Sequence, residues 1–576
     1  MIIDFASYII GSPWNLPPAL VFYVGAAFLL FSKYLPAPLI LIATPTVGLI
    51  NLITMENSAR LNTELLSYSV ELIYIDELSF LFGILFHIAA LFSAIYALKI
   101  TDTRQHVSAF IYVGSALGAV FSADLLSLFI FWELLAISSA YLIWVQGTRK
   151  ANQAALRYLF VHVISGLILL AGAILHIHKT GSIGFIDIDL TGTAKWLILL
   201  AFGIKCGFPI LHSWLPDSYP QASPTGTVFL SAFTTKVAIY VLARAFVGTE
   251  VLIYIGAAMT MFPIFYAVIE NDLRRVLAYS MINQLGFMVV GIGLGTAMAM
   301  NGAISHAFND VVFKGLLFMS MGAVLHTTGR INGSDLGGLY RKMPMTTSLC
   351  IIGAASISAF PLFSGFVSKS MILTAALDEG YVAIWFLLLF ASAGVFHHAG
   401  IKIPYFAFFA HDAGLDAKDP SWNMLLAMTF AAVICIVNGC YPYLLYSLLP
   451  YPVDYRPYEW SHVVSQLQLL LFSALAFAWL IRSGTYPPEL RSVNLDVDWI
   501  YRRGIKSFGS NALLVFDRTT RHLMFIFRIV ADHRLNPLVH HLKQHGVFAR
   551  TWSISFTVLC IITLLLAYLV HFFLYT

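Results

Sequence analysis

The chain alternates long apolar runs with short polar joints. A hydrocarbon core takes about 20 apolar residues per helix. Runs of that order lie near 19–34, 37–54, 79–98, 106–122, 124–145, 155–177, 194–211, 225–247, 251–269, 273–294, 303–326, 346–378, 382–411, 423–447, 461–482 and 552–575. The partitions of 106–145 and 346–378 stay open. Exposed sheet edges are not tolerated in lipid, so the pattern predicts an all-α, polytopic membrane protein of about 14–16 transmembrane helices. Two stretches break it. Glu56–Asp76, with "YSVELIYI", reads as a short hairpin or extended loop. The segment 483–551 holds ten Lys and Arg against five Asp and Glu and contains no clean span. Its stretch "NALLVFDRTTRHLMFIFRIV" (511–530) reads as an amphipathic helix at the interface or along a neighbour.

Charge orients the pattern. One set of alternate loops collects Lys33, Lys99, Arg104, Arg149, Lys150, Arg157, Arg274, Arg275, Arg330, Arg341, Lys342 and Lys418; the other collects Arg60, Lys179, Arg244 and Arg456. Basic loops stay cytoplasmic. The first set therefore marks the inside, the 483–551 arm is cytoplasmic, and sixteen spans put both termini outside. Met1–Pro18 has no Lys or Arg before its apolar run and is not expected to be a cleavable signal.

Composition agrees: 59% of residues are hydrophobic and 11% charged, where soluble domains carry about 25% charged residues. The five cysteines lie in apolar segments without zinc spacing and read as small buried hydrophobes. No P-loop, dinucleotide, HExxH or haem pattern appears. No cofactor, metal centre or nucleic-acid partner is expected, and the chain is read as a transporter component rather than an enzyme. Its energy comes from an ion gradient or a partner subunit.

An ionisable residue inside a span costs about 2.5–3.5 kcal/mol and is a functional candidate by default. Glu133, Lys205, Lys236 and Lys369 each sit within apolar sequence, and His306, Asp310 and Lys314 step by four along one helix face. Lys205 precedes Pro209 by four residues and Lys369 follows Pro361 by eight, so both flank helix breaks. Broken helices bring backbone groups and dipole ends to membrane depth, and a buried lysine beside a carboxylate at variable distance is a switch for loading protons. Lys314 can instead pair with Asp310 and hold two helices together. Arg157, Arg244, Arg274 and Arg275 read as topology anchors. Supporting candidates are Asp124, His212, His326 and Lys402. A snorkelling role for Lys402 has at least even weight. His212 either carries protons or braces its loop, with bracing favoured. Asp124, Glu133 and Asp310 are carboxylates available to a cation, although no oxygen-ligand cluster is legible.

The stretches "FIFWELLAISSAYLI", "GIKCGFPILHSWLPDSYPQASPTGTVFLSAFTTKVAIYVLAR", "NDLRRVLAYSMINQLGFM", "HAFNDVVFKGLLFM" and "SISAFPLFSGFVSKSMIL" resemble the antiporter-like subunits shared by respiratory complex I, membrane-bound hydrogenases and multisubunit Mrp-type cation/proton antiporters. With "NLDVDWIYRR", the pattern is most similar to the D subunit of the Mrp type. The resemblance runs in order from Asp76 to Met371. It implies two inverted five-helix repeats, each with one broken helix, and the divisions 1–105, 106–248, 249–411, 412–482, 483–551 and 552–576. It implies proton translocation through a Glu133–Lys205 pair, then Lys236 and the stripe of His306, Asp310 and Lys314, to Lys369. Implied partners are other membrane subunits of a hetero-oligomer, the lipid bilayer, H+ and Na+ or K+, in a bacterial or archaeal cell membrane. The alternatives are the equivalent subunit of a redox-driven complex or of an inorganic-carbon-uptake complex. The arm and final span are loosely similar to the lateral helix and anchor of the largest complex I member, but much shorter.

Overall fold

Polar side chains cap several of the apolar helices, Asp76, Asp102, Asp124, Thr148, Asp272 and Thr296 among them. A computed structural model describes residues 16–31, 36–55, 60–65, 68–185, 192–491, 494–534 and 553–575. The expectation for Met1–Pro18 lies outside the described residues over 1–15, as does that for the arm over 535–551. Helices α1 (Pro18–Leu30) and α2 (Ala37–Thr54) precede a hairpin of β1 (Arg60–Leu65) and β2 (Tyr68–Tyr74), antiparallel as expected for this stretch. Then come α3 (Glu77–Tyr96), α4 (Thr103–Phe121), α5 (Leu125–Trp144), α6 (Arg149–Thr180), α7 (Gly192–Cys206), α8 (Trp214–Ser218), α9 (Pro224–Ala232) and α10 (Thr234–Ala245). A further series follows: α11 (Val251–Ile269), α12 (Leu273–Leu294), α13 (Ala297–Thr328), α14 (Pro344–Ile357), α15 (Ser364–Asp378) and α16 (Val382–Val395), the last continued in π-helical turns through Phe409. The remainder are α17 (Trp422–Cys440), α18 (Tyr443–Tyr446), α19 (Trp460–Arg482), α20 (Lys506–Arg534) and α21 (Ile554–Tyr575). Among the described residues twelve helices are long and apolar enough to span a membrane, and Pro18–Leu30 and Pro344–Ile357 are shorter apolar ones. The protein is an all-α, multi-pass membrane protein.

The internal repeat is visible in the caps. Helices α4 and α11 stand 148 residues apart at both ends, and so do α6 and α13, each 32 residues long. Asp124 and Asp272, again 148 apart, cap α5 and α12 by accepting two backbone N–H groups each. Both also form isolated bridges, to Gly184 and Asn332, at the same separation. Thr148 and Thr296 cap α6 and α13, and left-handed Gly181 and Gly329 end them at φ 71° and 69°. Glycine adopts that conformation without a Cβ penalty.

Each copy contains a broken helix. Between α7 and α8, Phe208–Pro209 leads into Ile210 at φ 73°; between α14 and α15, Phe360–Pro361 leads into Leu362 at φ 75°. A β-branched or bulky residue in that region is a genuine outlier. The apolar run 346–378 is therefore two half-helices, because Pro361 cannot continue the ladder.

Three arginines read as topology anchors make specific contacts. Arg274 is buried and donates to the Ala222 carbonyl (2.9 Å), Arg157 forms a two-pronged bond to Asp217 (2.7 and 3.0 Å), and Arg244 pairs with Asp76 and Tyr240. They tie elements together. The chain divides into two compact units, residues 1–496 and 497–576. In the second, α20 carries an i,i+4 pair of Asp517 and Arg521 amid exposed Leu513, Phe516 and Phe525, and α21 is apolar along its length.

Candidate functional site

The expected residues fall into a buried polar line through the first unit. Lys205, Lys236, His306, Asp310, Lys314 and Lys369 are all fully buried. Lys205 ends α7, where Gly207 loosens the chain, and its ammonium donates to the Trp132 carbonyl at 2.6 Å, 4.1 Å from the Trp132 ring. Glu133 does not grip it. The Glu133 carboxylate lies against Gly166, half-buried, and its Oε1 has no hydrogen-bond partner. The two remain within electrostatic range. They are poised near one another rather than paired, because Lys205 already has a carbonyl and an aromatic face to satisfy it.

The central pair is not the one that spacing along α13 suggests. Asp310 meets Lys236 at 2.6 Å, not Lys314. Lys236 also donates to the Ser231 carbonyl at 3.2 Å, and Lys314 reaches the Leu277 carbonyl at 3.4 Å. His306, Asp310 and Lys314 share one face of α13, which the helical step of four dictates. His306 is held at both ring nitrogens, by Ser368 (2.9 Å) and Gln284 (3.0 Å). Gln284 continues to Asn283 at 2.8 Å. Lys369, on α15, donates to the Ile357 carbonyl at 3.0 Å across the break and lies 4.9 Å from the Phe287 ring. Asp310 is within its electrostatic range.

The supporting candidates fare differently. Asp124 caps α5, with its two oxygens taken by the N–H groups of Leu126, Ser127 and Glu71 and by the Ser127 hydroxyl. Lys402 does not snorkel. It is fully buried, pairs with Glu489 at 2.9 Å, and donates to the carbonyls of Val268 (2.7 Å) and Glu270 (2.6 Å) at the end of α11. Cations suit helix C-termini. His212 meets Asp496 at 3.2 Å, and Tyr279 donates to the same carboxylate at 2.7 Å, a bracing arrangement. His326 is exposed in the last turn of α13 beside Asp416 and Lys418, away from the buried line.

Sequence reasoning missed Trp132, Gln284, Ser368, Glu489 and Asp496. The first three are neutral and carry no charge anomaly to draw the eye. The two acids sit in a polar segment whose destination only the fold reveals.

Residues 122–397 match a family model described as NADH:quinone oxidoreductase/Mrp antiporter, TM. The chain is 30% identical over 426 residues to the A-type subunit of the Na(+)/H(+) antiporter of Alkalihalophilus pseudofirmus, covering 65% of this chain and 53% of that one. To the D-type subunit of the same organism it is 32% identical over 308 residues, covering 49% and 62%. The chain thus spans between about half and three-fifths of these curated relatives. Among solved structures, a chain of the Mrp complex from a Dietzia species superposes with a TM-score of 0.70 at 21% identity, over 76% of this chain and 96% of that one. A chain of the archaeal membrane-bound sulfane sulfur reductase gives 0.70 at 20% identity, over 96% and 99%. At those identities the likeness shows the fold.

Proposed function

We propose that the chain, whose residues 122–397 match the NADH:quinone oxidoreductase/Mrp antiporter transmembrane family model, is a proton-translocating membrane subunit of a multisubunit Na+ or K+/proton antiporter. The observation that carries the proposal is the buried line itself. Four lysines inside the bundle represent about 10–14 kcal/mol of insertion cost, far more than a packing role warrants. Protonation of Lys205 is set by Glu133, whose carboxylate is uncommitted and close enough to act on it. Protons then pass by way of Lys236 and Asp310 to His306 and Lys369. The relatives named as antiporter subunits supply the cation side of the reading. Other membrane subunits are the partners, the membrane is the cell membrane, and the 483–551 arm is cytoplasmic, on the side of the basic loops.

The test is Lys205→Ala, assayed as cation-dependent collapse of a pH gradient in membrane vesicles carrying the assembled complex. Exchange should be abolished with assembly intact. Normal exchange by an assembled Lys205→Ala complex sinks the assignment. Activity that needs an electron donor rather than a cation gradient would move the protein to a redox-driven relative.

A further inference from the structure

One buried imidazole has no task in this scheme. His162 lies on α6, fully buried, and neither ring nitrogen has a hydrogen-bond partner. Buried polar groups are nearly always satisfied, so such a residue calls for an explanation. Its ring centroid is 4.1 Å from Tyr158 and 4.5 Å from Trp214. Trp214 donates its indole N–H to the Ile204 carbonyl at 2.8 Å, one residue before Lys205. His162 is within electrostatic range of Lys205 itself. The Tyr158 ring packed against it carries a hydroxyl that belongs to a hydrogen-bonded chain. The Tyr158 hydroxyl meets Ser139 Oγ at 2.9 Å and Thr234 Oγ1 at 3.3 Å, and Thr234 Oγ1 meets the Tyr112 hydroxyl at 2.6 Å. Thr234 stands two residues before Lys236 in α10.

The repeat gives this placement meaning. A step of 148 residues carries α6 onto α13 from cap to cap. The same step carries Tyr158 onto His306, His162 onto Asp310, and Gly166 onto Lys314. The inner face of α6 is thus the counterpart of the polar stripe on α13. Asp310 in the second repeat contacts Lys236; its counterpart in the first is a histidine packed against Tyr158 and Trp214 and within electrostatic range of Lys205.

We propose that His162 is the proton relay of the first repeat, linking Lys205 to Lys236 through the Tyr158 and Thr234 hydroxyls. The relay takes a proton at one ring nitrogen and releases one from the other. One N–H bond forms, one breaks, and a turn of the ring restores the starting tautomer. No net charge stays on the imidazole after each transfer. The inference rests on the proton-translocation reading above.

Substitutions at this one position separate relay from packing. His162→Asn keeps a planar polar side chain that does not titrate. His162→Asp restores a titratable group, the one the second repeat uses. In vesicles carrying the assembled complex, His162→Asn should lower cation-dependent proton exchange at least tenfold, and His162→Asp should return it to within about threefold of the parent. A packing role makes the two variants equally poor or equally good, and either result overturns the relay. Should a position-162 variant fail to assemble, Tyr158→Phe is read instead; it keeps the ring and removes the hydroxyl. A threefold or larger loss supports the relay, and unchanged exchange overturns it. Lys205→Ala in the same membranes keeps the two proposals apart. An active Lys205→Ala complex removes the proton-translocation reading, whereas an inactive one beside a fully active His162→Asn complex removes the relay alone.

Discussion

Asp310→Asn tests the centre of the line. The substitution keeps the shape of the side chain and removes its charge. Lys236 and Asp310 are both fully buried and 2.6 Å apart. Removing one partner from such a pair costs about 3–5 kcal/mol, because the other charge is left uncompensated. Lys236 would keep only the Ser231 carbonyl at 3.2 Å. At about 1.36 kcal/mol per tenfold change, that cost corresponds to roughly two to nearly four powers of ten in a step that depends on the intact pair. Exchange that passes through the Lys236–Asp310 pair should therefore fall to below about 1% of the parent. The assay is the initial rate of gradient collapse in membrane vesicles against added Na+ and K+, normalised to assembled complex on a native gel. The double variant Lys236→Gln with Asp310→Asn removes both charges. It should remain inactive yet assemble at least as well as Asp310→Asn, since no orphaned charge is left in the core. Asp310→Asn exchanging within twofold of the parent would refute the reasoning, because the pair would then not lie on the path.

Three further outcomes follow from other contacts. At Gly166 an added Cβ would collide with the Glu133 carboxylate, so Gly166→Ala should displace Glu133 and lower exchange several-fold while the complex assembles; parent-like rates would show that Glu133 need not sit there. Glu489→Gln leaves Lys402 without its carboxylate at 2.9 Å and should destabilise the detergent-solubilised protein by about 3 kcal/mol, read as a lowered thermal midpoint; an unchanged midpoint would mean that the three α11 carbonyls hold Lys402 unaided. Outside the membrane-spanning segments, burial pushes the Asp76 carboxyl up, but the neighbouring Arg244 guanidinium carries it below the ordinary value of 3.8. A depressed carboxylate stabilises the fold above its unfolded value and loses that contribution as pH falls through its folded value, so Asp76→Asn should lower the thermal midpoint clearly at pH 7 and progressively less below about pH 3.8; a pH-independent difference would contradict the ion-pair account.

Much of the architecture was legible because lipid leaves few options. Apolar length dictates helices, and prolines at 209 and 361 announce the breaks. The charged members of the site stood out for the same reason: Lys205 and Lys369 have no innocent explanation in an apolar run. The repeat was not legible unaided. Its signature resides in Asp124 and Asp272, Thr148 and Thr296, and Gly181 and Gly329, six residues spread among apolar positions where one hydrophobe replaces another at little cost. The stripe on α13 also hides its counterpart, because Tyr158, His162 and Gly166 contain no acidic or basic charge where Asp310 and Lys314 supply one of each. Pairings were the least accessible feature. Spacing along α13 placed Lys314 next to Asp310, and only packing against α10 gave that carboxylate to Lys236.

The partners of each lysine divide the set by task. Lys205 and Lys369 each rest on one backbone carbonyl, at 2.6 and 3.0 Å, and face an aromatic ring at 4.1 and 4.9 Å. A carbonyl and a ring face stabilise an ammonium weakly enough that the neutral amine is also tolerable, so both groups can gain and lose a proton without rebuilding their surroundings. Lys402 has a carboxylate and several carbonyls at a helix end, a setting that holds one charge state firmly. Lys236 stands between, with one carboxylate and one carbonyl. On the proposed path, gaining and losing protons suits the two lysines beside the helix breaks best, with Lys236 passing protons between them. Each reaches the break of its own repeat from the opposite half-helix: Lys205 from the half before it, and Lys369 from the half after it. The two copies have kept the break and moved the charge across it, which sets one titratable lysine toward each end of the buried line and leaves the Lys236–Asp310 pair to couple them.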